Sequence, residues 1–414
     1  MLNENTLPQL DVDFCRSHFP PIENGMVYLE NAGGSYVPRQ VIDRLTDAME
    51  RCQNQPYYPF AASEDIAARL GRSIGAMAEM IGADKDEVVV GPSTTLNVYV
   101  LSQALRPLFA EGDEIVVTNQ DHEANSGAWR RLEEFGVVVK EWRIDGETGD
   151  LDPADLAPLL SERTRLVCFP HVSNVVGTIN PVAEIAAMAH AVGAMVCVDG
   201  VAYAAHGRID VKEWDVDFYL FSLYKIYGPH LAVLYGKREA IAKCRNQNHF
   251  FHEGIIPTIL NPGGLNYESV ASLAGIVDYF EAVHDHHFGA GENALRDRLA
   301  KVFALFAAQE EQLAQPLIDF LIAQPKVRLV GQANAERSRR MPTISFTIDG
   351  RSALEVAAAL AEKSLAIGHG HYYGHRCVEA LGCDPEDGVI RVSMVHYNSR
   401  DEIARLIAAL QELV

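Results

Sequence analysis

An amine, a carboxylate, an imidazole, an amide and several hydroxyls each stand at or just behind the end of a short apolar run in this sequence. His122 follows DEIVVTN, Asn174 follows TRLVCFP, Asp199 closes AMVCVD, and Ser222, Tyr224 and Lys225 close or follow DFYLFS. Ser93, Thr94 and Thr95 follow EVVVG where a helical pattern begins. Free backbone N–H groups at a helix start attract anions, and hydroxyls add donors. The glycines and lysine of a P-loop are absent, so this is a different kind of anion site. Taken singly, the three hydroxyls read as an ordinary helix cap, and the other residues as structural. A shared site explains the set better than chance. Its amine can bond to an aldehyde, its carboxylate can keep a pyridine nitrogen protonated, its imidazole can stack on a ring, and its helix start can cradle a phosphate. Those are the needs of pyridoxal 5'-phosphate.

A second concentration of reactive side chains lies in AIGHGHYYGHRCVEALG, residues 366–382. It holds His369, His371 and His375, with Tyr372, Tyr373 and Cys377 among them. His369 and His371 would share one face of a strand, and His371 and His375 one face of a helix. Three imidazoles could ligate zinc. No carboxylate stands nearby in sequence to orient them, so no metal is expected.

The elements that must position these residues are legible. EVVVG, DEIVVTN, TRLVCFP and AMVCVDGV are brief, apolar and rich in β-branched residues, which predicts buried strands. TTLNVYVLSQALRPLF and VAEIAAMAHAVG between them have helical spacing. The alternation predicts an α/β domain with a mostly parallel sheet flanked by helices, and ligands of such a sheet sit beyond its carboxyl ends. Residues 267–323 read as mainly helical. RMPTISFTID, SALEVAAALAEKS, GVIRVSMVHY and RDEIARLIAALQEL then read as strand, helix, strand, helix, a small α+β unit. The expected division is a large domain over 21–290 and a small domain from 1–20 and 291–414.

Composition removes other classes. The 414 residues carry a formal charge of -21, which argues against a nucleic-acid surface. No long apolar window predicts a membrane span, and the first twenty residues lack the pattern of a signal peptide. Seven cysteines without a C-x-x-C give no disulfide framework, so a reducing cytoplasm is expected.

The chain resembles the class V aminotransferase family, and within it the cysteine desulfurase-like proteins of fold type I. The resemblance rests on YLENAGGSYVP, DHEANSGAW, VSNVVGTINPV, VDGVAYAAHGRIDV, DFYLFSLYKIYGPHLAVLYGK and IRVSMVHYNSRDEI, in the family's order and over nearly the whole chain. It implies that Lys225 bonds the cofactor and moves protons, that Asp199 pairs with the pyridine nitrogen and that His122 stacks on the ring. Asn174 would lie near the ring hydroxyl, and Ser93, Thr94, Thr95 and Ser222 would hold the phosphate. Arg391 matches the arginine that clamps a substrate carboxylate, a task suited to a bidentate guanidinium; a structural salt bridge is its alternative. The resemblance also implies a homodimer with its site at the subunit boundary.

Three positions depart from the desulfurase pattern. Ala202 replaces a polar contact to the cofactor. Tyr224 replaces a phosphate-binding histidine, and its phenol can still donate. Gly264 stands where a threonine reaches the neighbouring subunit's phosphate.

The histidine-rich loop meets the family's GHHCA-like motif in two ways, with Tyr373 or with Cys377 at the position of the sulfur-accepting cysteine. The first is preferred, because it leaves the extra residues in the turn CDPEDG rather than inside a helix. Tyr373 then belongs to the catalytic set, and His371 joins Arg391 on the substrate. The expected activity is a cysteine desulfurase-like, C–S lyase type of reaction at Cα of an amino acid, without a persulfide cysteine. Transamination, epimerisation and a cofactor-holding sensor or scaffold are the alternatives. The resemblance does not choose the amino acid.

Overall fold

The computed structural model describes residues 7–291 and 294–414. Its centre is a seven-stranded sheet in the order Val88–Gly91, Ala232–Gly236, Phe218–Ser222, Met195–Asp199, Thr164–Pro170, Glu114–Thr118 and Val138–Trp142. Ala232–Gly236 runs antiparallel to both neighbours, and all other pairs are parallel. The parallel strands therefore all end on the same side of the sheet. Phe218–Ser222 and Glu114–Thr118 are buried along their whole length, as expected of strands covered by helices on both faces. The α/β reading of the sequence holds, with the helices Thr94–Leu105 and Val182–Ala191 where their spacing put them.

Val138–Trp142 was not anticipated. It lies at the sheet edge, where VVKEW is only partly buried and Lys140 reaches back to Glu114 at 2.7 Å. Such an edge strand lacks the continuous apolar run that marks an interior one.

The C-terminal unit is a four-stranded antiparallel sheet in the order Gly368–Gly370, Val389–Ser393, Thr343–Ile348 and Val327–Val330. Its helices Ala353–Ala361 and Arg400–Gln411 each open with a reciprocal cap, Ser352 with Glu355 and Ser399 with Glu402. Two apolar cores divide within the long helix Leu295–Ile322. Leu299, Val302 and Phe306 pack into the large core; Leu313, Leu317 and Leu321 pack into the small one.

The small core also takes Val27 and Leu29 from the start of the chain, where Val27–Tyr28 pairs in parallel with Leu365–Ala366. The helix Val12–Ser17 bridges both units. Phe14 stacks on His286 of the large unit at 3.8 Å, and Arg16 pairs with Glu402 of the last helix at 2.9 Å. Beyond that helix Ser35 N donates to Tyr224 O at 3.0 Å, which ties this early segment to the turn after Phe218–Ser222. Among the described residues no helix is long and apolar enough to cross a membrane.

Candidate active site

Ser93, Thr94, Thr95, His122, Asn174, Asp199, Ser222, Tyr224 and Lys225 line a single cavity at the carboxyl ends of the sheet. Ser93 caps the helix Thr94–Leu105 by accepting from Leu96 N at 3.1 Å. Thr94 Oγ1 meets Ser222 Oγ at 2.8 Å. The twelve-residue helix thus presents its N-terminus and a hydroxyl pair to the cavity, a setting for a phosphate. Tyr224 lines the same cavity, its ring stacked on His230 at 4.7 Å.

In the same cavity Asp199 closes one strand, and Lys225 lies in the turn that follows its parallel neighbour Phe218–Ser222. Asp199 Oδ1 accepts from Val201 N at 2.8 Å, and its other oxygen has no partner among the described residues. Burial pushes the Asp199 carboxyl up to about 6, against the pull of the Val201 N–H and of Lys225. Burial brings the Lys225 amine down to about 8, helped by Arg391 and opposed by Asp199 and Glu30. His122 is brought down to about 3 by burial and by the Lys225 and Arg391 charges, so its ring is neutral at pH 7. His122 Nδ1 accepts from Ala124 N at 3.0 Å, which leaves the proton on Nε2.

Two acidic residues at this site carry no role in the sequence reading. Asp121 lines the cavity, and its Oδ1 is buried without a partner. Burial and the Asp199 charge hold its carboxyl well above the ordinary range. Glu30 is the partner of Arg391. The guanidinium directs Nη2 and Nε to the two Glu30 oxygens, and Nη1 to Asn174 O at 2.9 Å. The Tyr372 ring lies over its face at 3.7 Å. Arg391 is 2% exposed and is absent from the cavity lining, so the clamp expected for a substrate is engaged by an internal carboxylate. Asp121 directly precedes His122, which was the available signal for it; Glu30 lies in YLENAGGSYVP, where no neighbouring residue pointed to it.

Residues 27–406 match the family Aminotransferase class-V. An aminotransferase-like protein of Gibberella zeae is 35% identical over 409 residues, covering 97% of this chain and 98% of that protein. A cysteine desulfurase of Dickeya dadantii is 30% identical over 430 residues, with 97% and 96% covered. The chain also superposes on the cysteine desulfurase CsdA of Escherichia coli with a TM-score of 0.82 at 24% identity, over 98% of each chain. The chain belongs to the class V aminotransferases.

This places it among enzymes that depend on pyridoxal 5'-phosphate. The cavity of this class V aminotransferase fits that cofactor on its own chemistry. A hydroxyl-flanked helix start, a half-satisfied carboxylate and a buried amine all face it. Its histidine-rich loop forms an outer cleft in which Glu123, His371, Tyr373, His375 and Arg376 meet. Tyr373 O accepts from Glu123 N at 2.8 Å, and the Tyr373 ring lies 5.2 Å from that of His122. His371 Nδ1 accepts from Tyr373 N at 3.1 Å, and His371 does not line the inner cavity. His369 is exposed on its strand. Among the described residues no group of three or more His, Cys, Asp or Glu side chains could hold a metal ion. Cys377 is fully buried on the short helix His375–Ala380, where burial pushes its thiol up to about 12.

The buried amine makes stability depend on pH. In the cofactor-free chain Lys225 loses its proton near pH 8 when folded and near its ordinary value of 10.5 when unfolded. Between these values the unfolded chain holds more protons, so Lys225 makes stability rise with pH across that window. The full rise is about 3 kcal/mol. Denaturant titrations from about pH 8 to 10.5 should show it in the wild-type chain and not in Lys225→Met; equal slopes would contradict the burial of the amine.

Proposed function

We propose that this enzyme acts at Cα of an amino acid in a cysteine desulfurase-like, C–S lyase type of reaction that uses no persulfide cysteine. The observation that carries this reading is the contrast between Tyr373 and Cys377. Tyr373 stands at the mouth beside His122, and Cys377 is enclosed with a thiol that stays protonated at neutral pH. A protonated thiol is neither the nucleophile nor a ready sulfur acceptor. The 30% identity to a cysteine desulfurase supports the reaction class.

Bound pyridoxal 5'-phosphate supplies an aldehyde that captures the amino group and a protonated ring that accepts the electrons released at Cα. In this reading Ser93, Thr94, Thr95 and Ser222 hold its phosphate, and Tyr224 donates to it from the side. Asp199, ionised at pH 7, holds the proton on the ring nitrogen. The neutral His122 ring covers the cofactor face without adding a charge. Lys225, with a pKa near the operating pH, takes the Cα proton and returns one to the leaving side. Arg391 binds the substrate carboxylate.

A cytoplasmic homodimer completes the reading. Six of the seven free cysteines are buried, and Tyr57 and Phe250 are 83% and 87% exposed, large aromatic surfaces suited to a second copy.

Asp199→Asn should keep the cofactor bound yet lower turnover by roughly three orders of magnitude, about 4 kcal/mol of lost charge stabilisation. Near-normal turnover in that variant would remove Asp199 from the mechanism.

The loop is tested by adding cysteine to the holoenzyme, following cofactor absorbance and assaying sulfide, alanine and keto acid. Cys377→Ser should stay within about threefold of wild type, the effect of a small packing change. Tyr373→Phe should cost about tenfold or more, through loss of a phenol that relays a proton or orients substrate. A persulfide trapped on Cys377 during turnover would overturn the assignment.

A further inference from the structure

Arg391 is held more completely than a waiting carboxylate clamp needs to be. All three guanidinium nitrogens donate, two of them to Glu30 and one to Asn174 O, and the Tyr372 ring covers one face. Glu30 has room made for it. A Cβ on Gly33 would come within 2.8 Å of Oε1, and one on Gly368 within 2.6 Å of Oε2. Glycine at both positions leaves space for the carboxylate. The side chains differ in access: Glu30 is 22% exposed and Arg391 2%. Glu30 can therefore withdraw into water, while Arg391 cannot follow it.

The cover is a strained residue held by few contacts, its hydroxyl donating to Val389 O at 3.2 Å. Tyr372 and Tyr373 are consecutive left-handed residues, with φ of 52° and 58°, a conformation bulky side chains rarely adopt. They are held there by hydrogen bonds from neighbouring segments. Asn174 Nδ2 donates to Tyr372 O at 2.9 Å, and Glu123 N donates to Tyr373 O at 2.8 Å. Asn174 thus links two contacts. Its side chain holds the Tyr372 carbonyl, and its own carbonyl holds Arg391. Departure of Tyr372 would uncover the guanidinium and release the Asn174 amide toward the cavity in the same motion.

We propose that Glu30 is the specificity-determining residue of substrate binding: its carboxylate occupies Arg391 in place of the substrate's, and a ligand enters by exchanging a carboxylate of its own for Glu30 as Tyr372 swings off the guanidinium. This rests on the reading of Arg391 as the substrate clamp. A buried guanidinium stripped of its partner is strongly unfavourable, so the open clamp is a rare state that only another anion stabilises. Amines without a carboxylate do not open the gate. The apparent affinity for carboxylates is lowered by the fraction of time the clamp is closed.

The test compares wild type with Glu30→Gln, which keeps volume and removes the competing charge. In the holoenzyme, titrated by cofactor absorbance, glycine should bind Glu30→Gln at least about tenfold tighter, while methylamine stays within about twofold. In stopped flow the observed rate with glycine should level off in the wild type, where opening limits it, and rise linearly in the variant. In the cofactor-free chains, propionate should raise the Tm of Glu30→Gln more than that of the wild type. If Glu30→Gln does not fold, Tyr372→Ala serves instead and should tighten glycine by at least about threefold. Unchanged or weaker glycine binding with an intact cofactor spectrum overturns the proposal and leaves Glu30 as a prop for Arg391. Failure of the underlying reading looks different. Arg391→Lys with unchanged glycine affinity removes the clamp itself, and loss of cofactor absorbance in the wild type removes the cofactor site.

Discussion

Lys225 and Asp199 are both enclosed in protein, and enclosure alone would neutralise each of them. A buried amine sheds its proton and a buried carboxylate takes one up. The Val201 N–H and then the Lys225 charge oppose this at Asp199, and the Asp199 and Glu30 charges oppose burial and Arg391 at Lys225; the result is an amine near 8 and a carboxyl near 6. At pH 7 both groups are charged, and the amine is close enough to neutrality to exchange protons. This balance needs the two side chains fixed in a dry place at a set separation. The sheet provides that. Met195–Asp199 and Phe218–Ser222 pair in parallel, with Asp199 opposite Leu220, so both strands deliver their chemistry to one edge. Helices cover the faces and keep water out.

The rest of the site follows from that edge. The helix start at Ser93 lies across it, and Thr94 is tied to Ser222 by their hydroxyls. The carboxylate region, in contrast, is assembled from four distant segments. Glu30 comes from the start of the chain, Asn174 from behind a large-domain strand, Tyr372 from the histidine-rich loop and Arg391 from the small sheet. The helix-start region is thus tied to a single sheet, and the carboxylate region is held by contacts between segments far apart in sequence. The long helix Leu295–Ile322, with one end in each core, couples the two units.

The strands that end in Asp199, Ser222 and Pro170 were legible because they are buried on both faces and so read as unbroken apolar runs. The edge strand Val138–Trp142 was not, because half of it faces water. That the residues proposed for the cofactor share one cavity was legible because each closes or follows a strand and each has a side chain of distinctive chemistry. Glu30 and Asp121 were harder. An acidic residue beside a motif is usually a solvated one, and only the fold shows that Glu30 meets Arg391 across 361 positions of sequence. The histidine-rich loop has residue types that suit a metal, but no carboxylate stands beside them in sequence. Its shape was not legible: Gly370 and the left-handed Tyr372 and Tyr373 turn the chain so that His371 bonds the loop's own backbone.

Lys225 is the residue proposed to bond the cofactor. Borohydride reduction of the holoenzyme, followed by proteolysis and mass spectrometry, tests this directly. The peptide containing Lys225 should carry the reduced pyridoxyl phosphate group, in close to one copy per chain. A pyridoxyl group on any other lysine, or none on a protein that retains its cofactor, would contradict it.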